Sequence, residues 1–217
     1  MVIVMSCVSS RPGGPSTPDR STEAADNRPL PPARTASTVS LEEALQQRRS
    51  VRSFLRDPLS DQELGQLLWA AQGVTDPEGH RTAPSAGALY PLEIYAVTPT
   101  AVLHYDPATH SVTTHLTGDY RRDLKAAALD QEFLAEAPVT LVITAVYERT
   151  AVKYGDRAAR YVHLEAGHAA QNVLLEAVAL GLGAVPIGAF SDERLETVLE
   201  LPVDERPIYL IAVGHPR

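Results

Sequence analysis

The sequence predicts an α+β fold, a sandwich in which helices cover both faces of one sheet. Helical and strand-like patterns alternate along residues 40–217 without the regular repeat of a doubly wound sheet. The run VTLVITAV, residues 139–146, is apolar without alternation, as a strand covered on both faces requires. Two further apolar runs, 101–105 and 111–116, are joined by DPATH and read as an antiparallel hairpin.

Taken in order, the chain divides near residue 39. Residues 9–38 hold six prolines and almost no aliphatic side chains, too little apolar surface to offset the entropy of ordering. Residues 1–39 are therefore expected to be a disordered leader or tether, and 40–217 one folded domain. Ser40 and Glu43 form a capping box that predicts a helix over 41–48. Ser60 and Glu63 form a second, and Leu64, Leu67, Leu68 and Ala71 recur at helical spacing until Gly73 supplies the stop. The stretch VTDPEGHRTAPSAGALYPLE that follows has too many Gly and Pro residues for a regular element and reads as a long loop, a class that is often functional. Strands are expected at 93–98, 101–105 and 111–116, a helix at 120–129 and a short one near Phe133. After the strand at 139–146 come a long helix over 157–180, a strand at 184–187, a helix at 192–199 and a last strand at 208–213.

Composition limits the function. A chain of 217 residues, 44% of them apolar, can bury one core of ordinary size. Its net charge of −8 argues against a general nucleic-acid or anionic-membrane surface, which needs an excess of Lys and Arg. The single cysteine, Cys7, gives no disulfide framework and no cysteine metal site. No stretch reaches the roughly 18 apolar residues that a membrane-crossing helix needs. The chain thus reads as cytoplasmic. The alternative is an exported, lipid-anchored protein, if Val4-Met5-Ser6-Cys7 ends a truncated lipoprotein signal.

The cluster RRSVR, residues 48–52, packs three guanidiniums and a hydroxyl where the first helix ends. Arginines there can simply complement the helix dipole. Ser50 and Arg52 extend the cluster, however, and in an extended chain they turn to one side, where charge-assisted hydrogen bonds of about 1.5–3 kcal/mol each could fix a phosphate monoester. The small-residue loop TAPSAGALYP, the segment GLGAVPIGAF with its Pro and Gly, and the terminal GHPR supply bare main-chain N–H groups and one more guanidinium.

RRSVRSF, the APSAG loop, PIGAF and the terminal strand with its Arg together resemble the nitroreductase-like FMN flavoprotein family. KYGDRAARYVHLEAGHAAQN is similar to its SagB/ThcOx-type dehydrogenase branch, whose best-known members oxidise azolines in modified peptides to azoles. The resemblance covers about residues 40–217. It implies a three-layer α-β-α sandwich on a mixed, mainly antiparallel sheet, a homodimer with exchange of the C-terminal segment, and FMN at the interface. It also implies hydride transfer through flavin N5 by a ping-pong mechanism, NAD(P)H as a possible donor and a small-molecule or modified-peptide substrate. By position, Arg48, Arg49 and Ser50 would hold the phosphate and ribityl chain, Arg52 the pyrimidine edge, and Arg217 would return to the phosphate. Pro84, Ser85, Ala86 and Gly87 would come from the partner subunit against the ring, with Pro186, Ile187 and the Gly188 N–H on its other face. Lys153 and Tyr154 match a pair linked to catalysis in the azoline oxidases, where a tyrosine beside a cation can take the proton that leaves with the hydride. Two positions depart from the pattern: Ala88 stands where many relatives carry Asn, and Gly188 where they carry Glu. The azoline oxidases also carry an additional N-terminal domain, where this chain has only its leader.

A rival reading concerns the long helix. Tyr161, Glu165, His168 and Asn172 recur at helical spacing, and Glu165-x-x-His168 is half of a di-iron bundle signature. The second half is missing, so no metal is expected. A flavin-binding or flavin-consuming protein without general reductase activity is the other alternative.

Overall fold

The computed structural model describes residues 27–217. Its sheet has seven strands in the order β1-β4-β3-β2-β5-β7-β6: β1 Asn27–Pro29, β2 Leu92–Val97, β3 Ala101–Asp106, β4 Ser111–Thr117, β5 Val139–Val146, β6 Gly183–Ile187 and β7 Glu205–Gly214. Every pairing between these strands is antiparallel. Among the described residues, the parallel character expected of the sheet is confined to one isolated bridge, Ser50 with Ala184 at the β6 edge.

The helices are α1 Leu41–Gln47, α2 Asp61–Gln72, α3 Arg121–Ala127, α4 Phe133–Glu136, α5 Tyr147–Tyr154, α6 Ala158–Ala179 and α7 Asp192–Val198. Both capping boxes form, with the Ser40 and Ser60 hydroxyls accepting from the Glu43 and Glu63 N–H groups at 3.2 and 3.3 Å. Strand β5 lies inside the sheet and is buried along its whole length, because strand side chains alternate between faces and both faces are covered. Leu141 and Ile143 meet Leu67 of α2 and Val162 and Val173 of α6. Val142 turns the other way, to Leu124 of α3, Leu134 of α4 and Leu195 of α7.

Three expectations need correction. The leader does not remain free up to residue 39: residues 27–29 add strand β1 beside β4, and Leu30 is buried. Little apolar surface is needed, because side chains of the domain satisfy this backbone. Gln66 accepts from the Arg34 N–H at 2.7 Å and donates to its carbonyl at 3.0 Å, and His110 Nε2 lies 2.9 Å from the Pro31 carbonyl. The earlier part of the expected tether, Cys7 included, lies outside the described residues. Second, a stretch for which no element was expected, residues 147–154, forms α5, which follows β5 without a break. Third, β7 starts at Glu205 rather than 208, because a charged pair and Pro207 conceal a strand whose first carboxylate is buried.

Among the described residues no helix is long and apolar enough to cross a membrane. The resemblance implies that the C-terminal segment crosses to a partner. Within the chain, Leu55 N–H donates to the His215 carbonyl at 2.8 Å and Arg217 N–H to that of Ser53 at 3.2 Å.

Candidate active site

Segment 48–54 runs extended between β6 and the chain's last residues. Val51 N–H donates to the Ala184 carbonyl at 3.0 Å, and Phe54 is fully buried beside Pro216. Val51 packs so closely on Gly183 that a Cβ there would sit 2.7 Å from it, so the approach depends on glycine. With Val51 turned inward, its neighbours Ser50 and Arg52 are exposed. Arg49 Nη1 instead donates to the Gln46 and Arg48 carbonyl oxygens at 2.9 and 2.8 Å, closing the open end of α1. Arg52 lies over the Phe133 ring at 6.0 Å. Among the described residues neither Arg48 nor Arg52 forms an ion pair. Arg217 turns to Glu136 at 3.7 Å. Of the PIG residues, Pro186 and Ile187 belong to β6. Ile187 is buried in the core, so its backbone alone is available, while Gly188 is exposed.

The second group of candidates gathers on the loop. A single 3-10 turn, Ala86–Ala88, follows Ser85, and Gly87, Ala88 and Tyr90 take φ of 66°, 54° and 46°. Two non-glycine residues in the left-handed region within one loop store strain of a kind that clusters at functional sites. A Cβ on Gly87 would lie 2.9 Å from Lys153 Nζ and 3.0 Å from the Tyr154 hydroxyl. The ends of both side chains thus rest on the bare α-carbon of Gly87, where any larger residue would displace them. Their helix, α5, stops at Gly155, whose φ is 52°. Tyr154 packs edge-on to Tyr161 at 4.8 Å.

The loop is tied down by residues that motif reading passes over. Arg81 lies 4.4 Å above the Tyr90 ring and donates to Gln72 Oε1 at 2.9 Å. Arg149 bonds the Tyr90 carbonyl at 3.3 Å and pairs with Glu93 at 2.6 Å. Burial pushes the Glu93 carboxyl up, but hydrogen bonds from His104 and Arg149 outweigh it and hold the group below the usual carboxylate range. Asn172 donates to the Thr82 carbonyl at 3.2 Å.

Glu165 and His168, one turn apart on α6, differ in burial: Glu165 is 2% exposed, whereas His168 is exposed to solvent. Burial pushes the Glu165 carboxyl up to about 7, against the Ser85 hydroxyl, the Arg81 charge and the Gln72 amide, which pull it down. Among the described residues no group of three or more His, Cys, Asp or Glu could hold a metal ion.

The phosphate-type cluster at 48–52 and the loop at 84–90 make no hydrogen bond or bridge to each other within the chain. Both are nevertheless suited to a flavin. The first offers unpaired guanidiniums and an exposed hydroxyl. The second offers a glycine whose surface a side chain would fill.

Residues 45–215 match the model of the Nitroreductase family. The chain is 47% identical to a nitroreductase-named protein of Methanocaldococcus jannaschii, over 81% of this chain and 91% of that one. It is 29% identical to the microcin B17-processing protein McbC of Escherichia coli, over 70% of this chain and 60% of that one. With the FMN reductase [NAD(P)H] of Bacillus subtilis the identity is 26%, over 80% and 64%. Among solved structures, a protein of Ralstonia eutropha, also nitroreductase-named, superposes with a TM-score of 0.81 at 32% identity, covering 88% of this chain and 90% of that one.

Proposed function

The chain belongs to the nitroreductase family, and on that premise we propose that it is an FMN-dependent oxidoreductase working as a homodimer. The observation that carries this reading is the convergence of Lys153 and Tyr154 on Gly87, in the loop where the resemblance puts the flavin ring. Bound there, FMN would supply a reversible hydride site at N5, letting a donor such as NAD(P)H and an acceptor react in turn by a ping-pong mechanism. Arg48 and Ser50 hold phosphate and ribityl, assisted by Arg49 and Arg217. Arg52 faces the ring's pyrimidine edge, and Pro84 to Gly87 lie on one side of the ring with Pro186 to Gly188 on the other. The two halves of the site make no hydrogen bond or bridge to each other within one chain, and the resemblance brings them together between copies. Leu41, Leu45 and Leu164, all more than half exposed, supply apolar surface for that contact.

The same convergence favours a second reading for the substrate. Lys153 and Tyr154 present a cation and a phenol side by side, the pair needed to remove a proton as hydride leaves carbon. Together with the similarity to McbC, this points to dehydrogenation of an azoline in a modified peptide.

Purified protein should be yellow, or turn yellow with added FMN; a colourless protein that gains no flavin absorbance ends the proposal. Anaerobic NADH or NADPH should bleach it, and failure with both would select dehydrogenation of an organic substrate. Replacing Tyr154 with Phe should lower turnover on that substrate at least tenfold, roughly the contribution of a general base; unchanged turnover would remove the pair from the mechanism.

A further inference from the structure

Glu165 lies under the candidate loop as a buried acid that the proposed function leaves without a role. Its Oε1 has no hydrogen-bond partner, and neither has Gln72 Nε2. A buried carboxylate oxygen without a donor is costly, and native structures rarely keep one without cause. The surroundings explain how both charge states can be held. Gln72 gives its Oε1 to Arg81, so its amide N–H groups are the end left over. Ser85 Oγ accepts from the Tyr90 N–H at 2.9 Å, which leaves its own proton free to be given. An ionised Glu165 therefore faces a hydroxyl, an amide and the Arg81 cation, while a protonated one has Ser85 Oγ as an acceptor.

Resting on the function proposed above, we propose that Glu165 is a positioning residue that holds the proton of the redox step, exchanging it through the Ser85 hydroxyl with the substrate that reacts at the flavin beside this loop. In the reducing direction the Glu165 O–H bond breaks as an O–H bond forms at Ser85. Ser85's own proton passes to the substrate anion left by hydride addition. Glu165 gains and loses no electrons, and the carboxylate left behind is balanced by Arg81. Glu93 and Arg149 stand behind Arg81, paired with each other. Tyr90 flanks Arg81 on the loop, and Tyr161 and His168 lie one turn away on α6.

Infrared spectra of the purified protein across about pH 5 to 9 should show a protonated-carboxyl band that is lost near neutrality and absent from Glu165→Gln. With FMN bound, kcat/KM for reduction of p-benzoquinone by NADH should fall about tenfold from about pH 6 to 8, the fraction of a neutral acid lost over that range. Glu165→Gln should flatten this limb. Ser85→Ala should flatten it too while keeping the infrared band, a separation that a merely structural role would not produce. A band that survives in Glu165→Gln removes Glu165 as the proton holder, and a wild-type profile in Ser85→Ala removes the route. A protein that takes up no FMN overturns the functional reading and the route with it, although the infrared titration of Glu165 would stand.

Discussion

Glu205 and Glu165 are buried to nearly the same depth, 6% and 2% exposed, in regions that treat a carboxylate in opposite ways. Glu205 lies on the α3–α4–α7 side of the sheet. It accepts a bifurcated bond from the Tyr95 hydroxyl of β2 at 3.2 and 3.0 Å and a second from Thr144 Oγ1 of β5 at 2.7 Å, so both donors come from the sheet itself. Those donors are fixed by sheet register, and burial together with Glu205 drives the Tyr95 hydroxyl far above its usual range, so it stays protonated and donating. Glu165 lies under a loop whose backbone is strained at Ala88 and Tyr90, and its Oε1 has no partner. The difference teaches that burial alone does not mark a working acid. A buried carboxylate with its hydrogen bonds satisfied holds strands together, whereas one left unsatisfied beside a strained loop is free to exchange a proton.

The comparison can be broken most sharply at Glu205. Replacing it with Ala strands two buried hydroxyls and should cost about 3 kcal/mol in urea unfolding; a loss below about 1 kcal/mol would mean that the network adds little. The next effect is the pH dependence at Glu165. Its folded carboxyl titrates at about 7 against 4.5 as the reference value, so the protonated form is favoured by folding. The stability this gives is complete below about pH 4.5 and is lost as pH rises through 7, a fall of about 3 kcal/mol at roughly 1.4 kcal/mol per pH unit that Glu165→Gln should abolish. Thermal melts of both proteins from about pH 4.5 to 8 read the difference directly. Smaller still is the strain in the loop. Ala88 sits at φ 54°, a conformation that Asn adopts more readily, so Ala88→Asn should stabilise by about 0.5–1 kcal/mol in the same melts. Least is Gly188→Glu, since a Cβ there meets only Tyr209 Cε2 at 4.0 Å, and stability should stay within about 0.5 kcal/mol of wild type.

Much of the fold was legible because its signals are local. The Ser40 and Ser60 caps, the apolar run of β5 and the hairpin at 101–117 depend on residues close in sequence, and each forms within a residue or two of its expected bounds. Strand β1 was not legible, because NRP owes its place to β4 and to Gln66 and His110, all distant in sequence. Helix α5 was hidden because YERTAVKY follows a strand with no cap or turn residue between them. At the site, residue types were visible and their grouping was not. The pairing of Glu165 with His168 suggested by helical spacing fails because α6 is packed on both its β-sheet and loop sides, which draws Glu165 inward and leaves His168 outside.

The sequence by itself determined the layered α+β architecture, the main element boundaries and the family resemblance, since periodicity, capping and motif order are written in neighbouring residues. Only the tertiary structure decided that Lys153 and Tyr154 meet over Gly87 and that Ser50 sits beside Ala184. It alone decided that one buried glutamate is satisfied and another is not. Those facts depend on contacts between residues dozens of positions apart, and such contacts exist only once the sheet has set its register and α6 has packed against it.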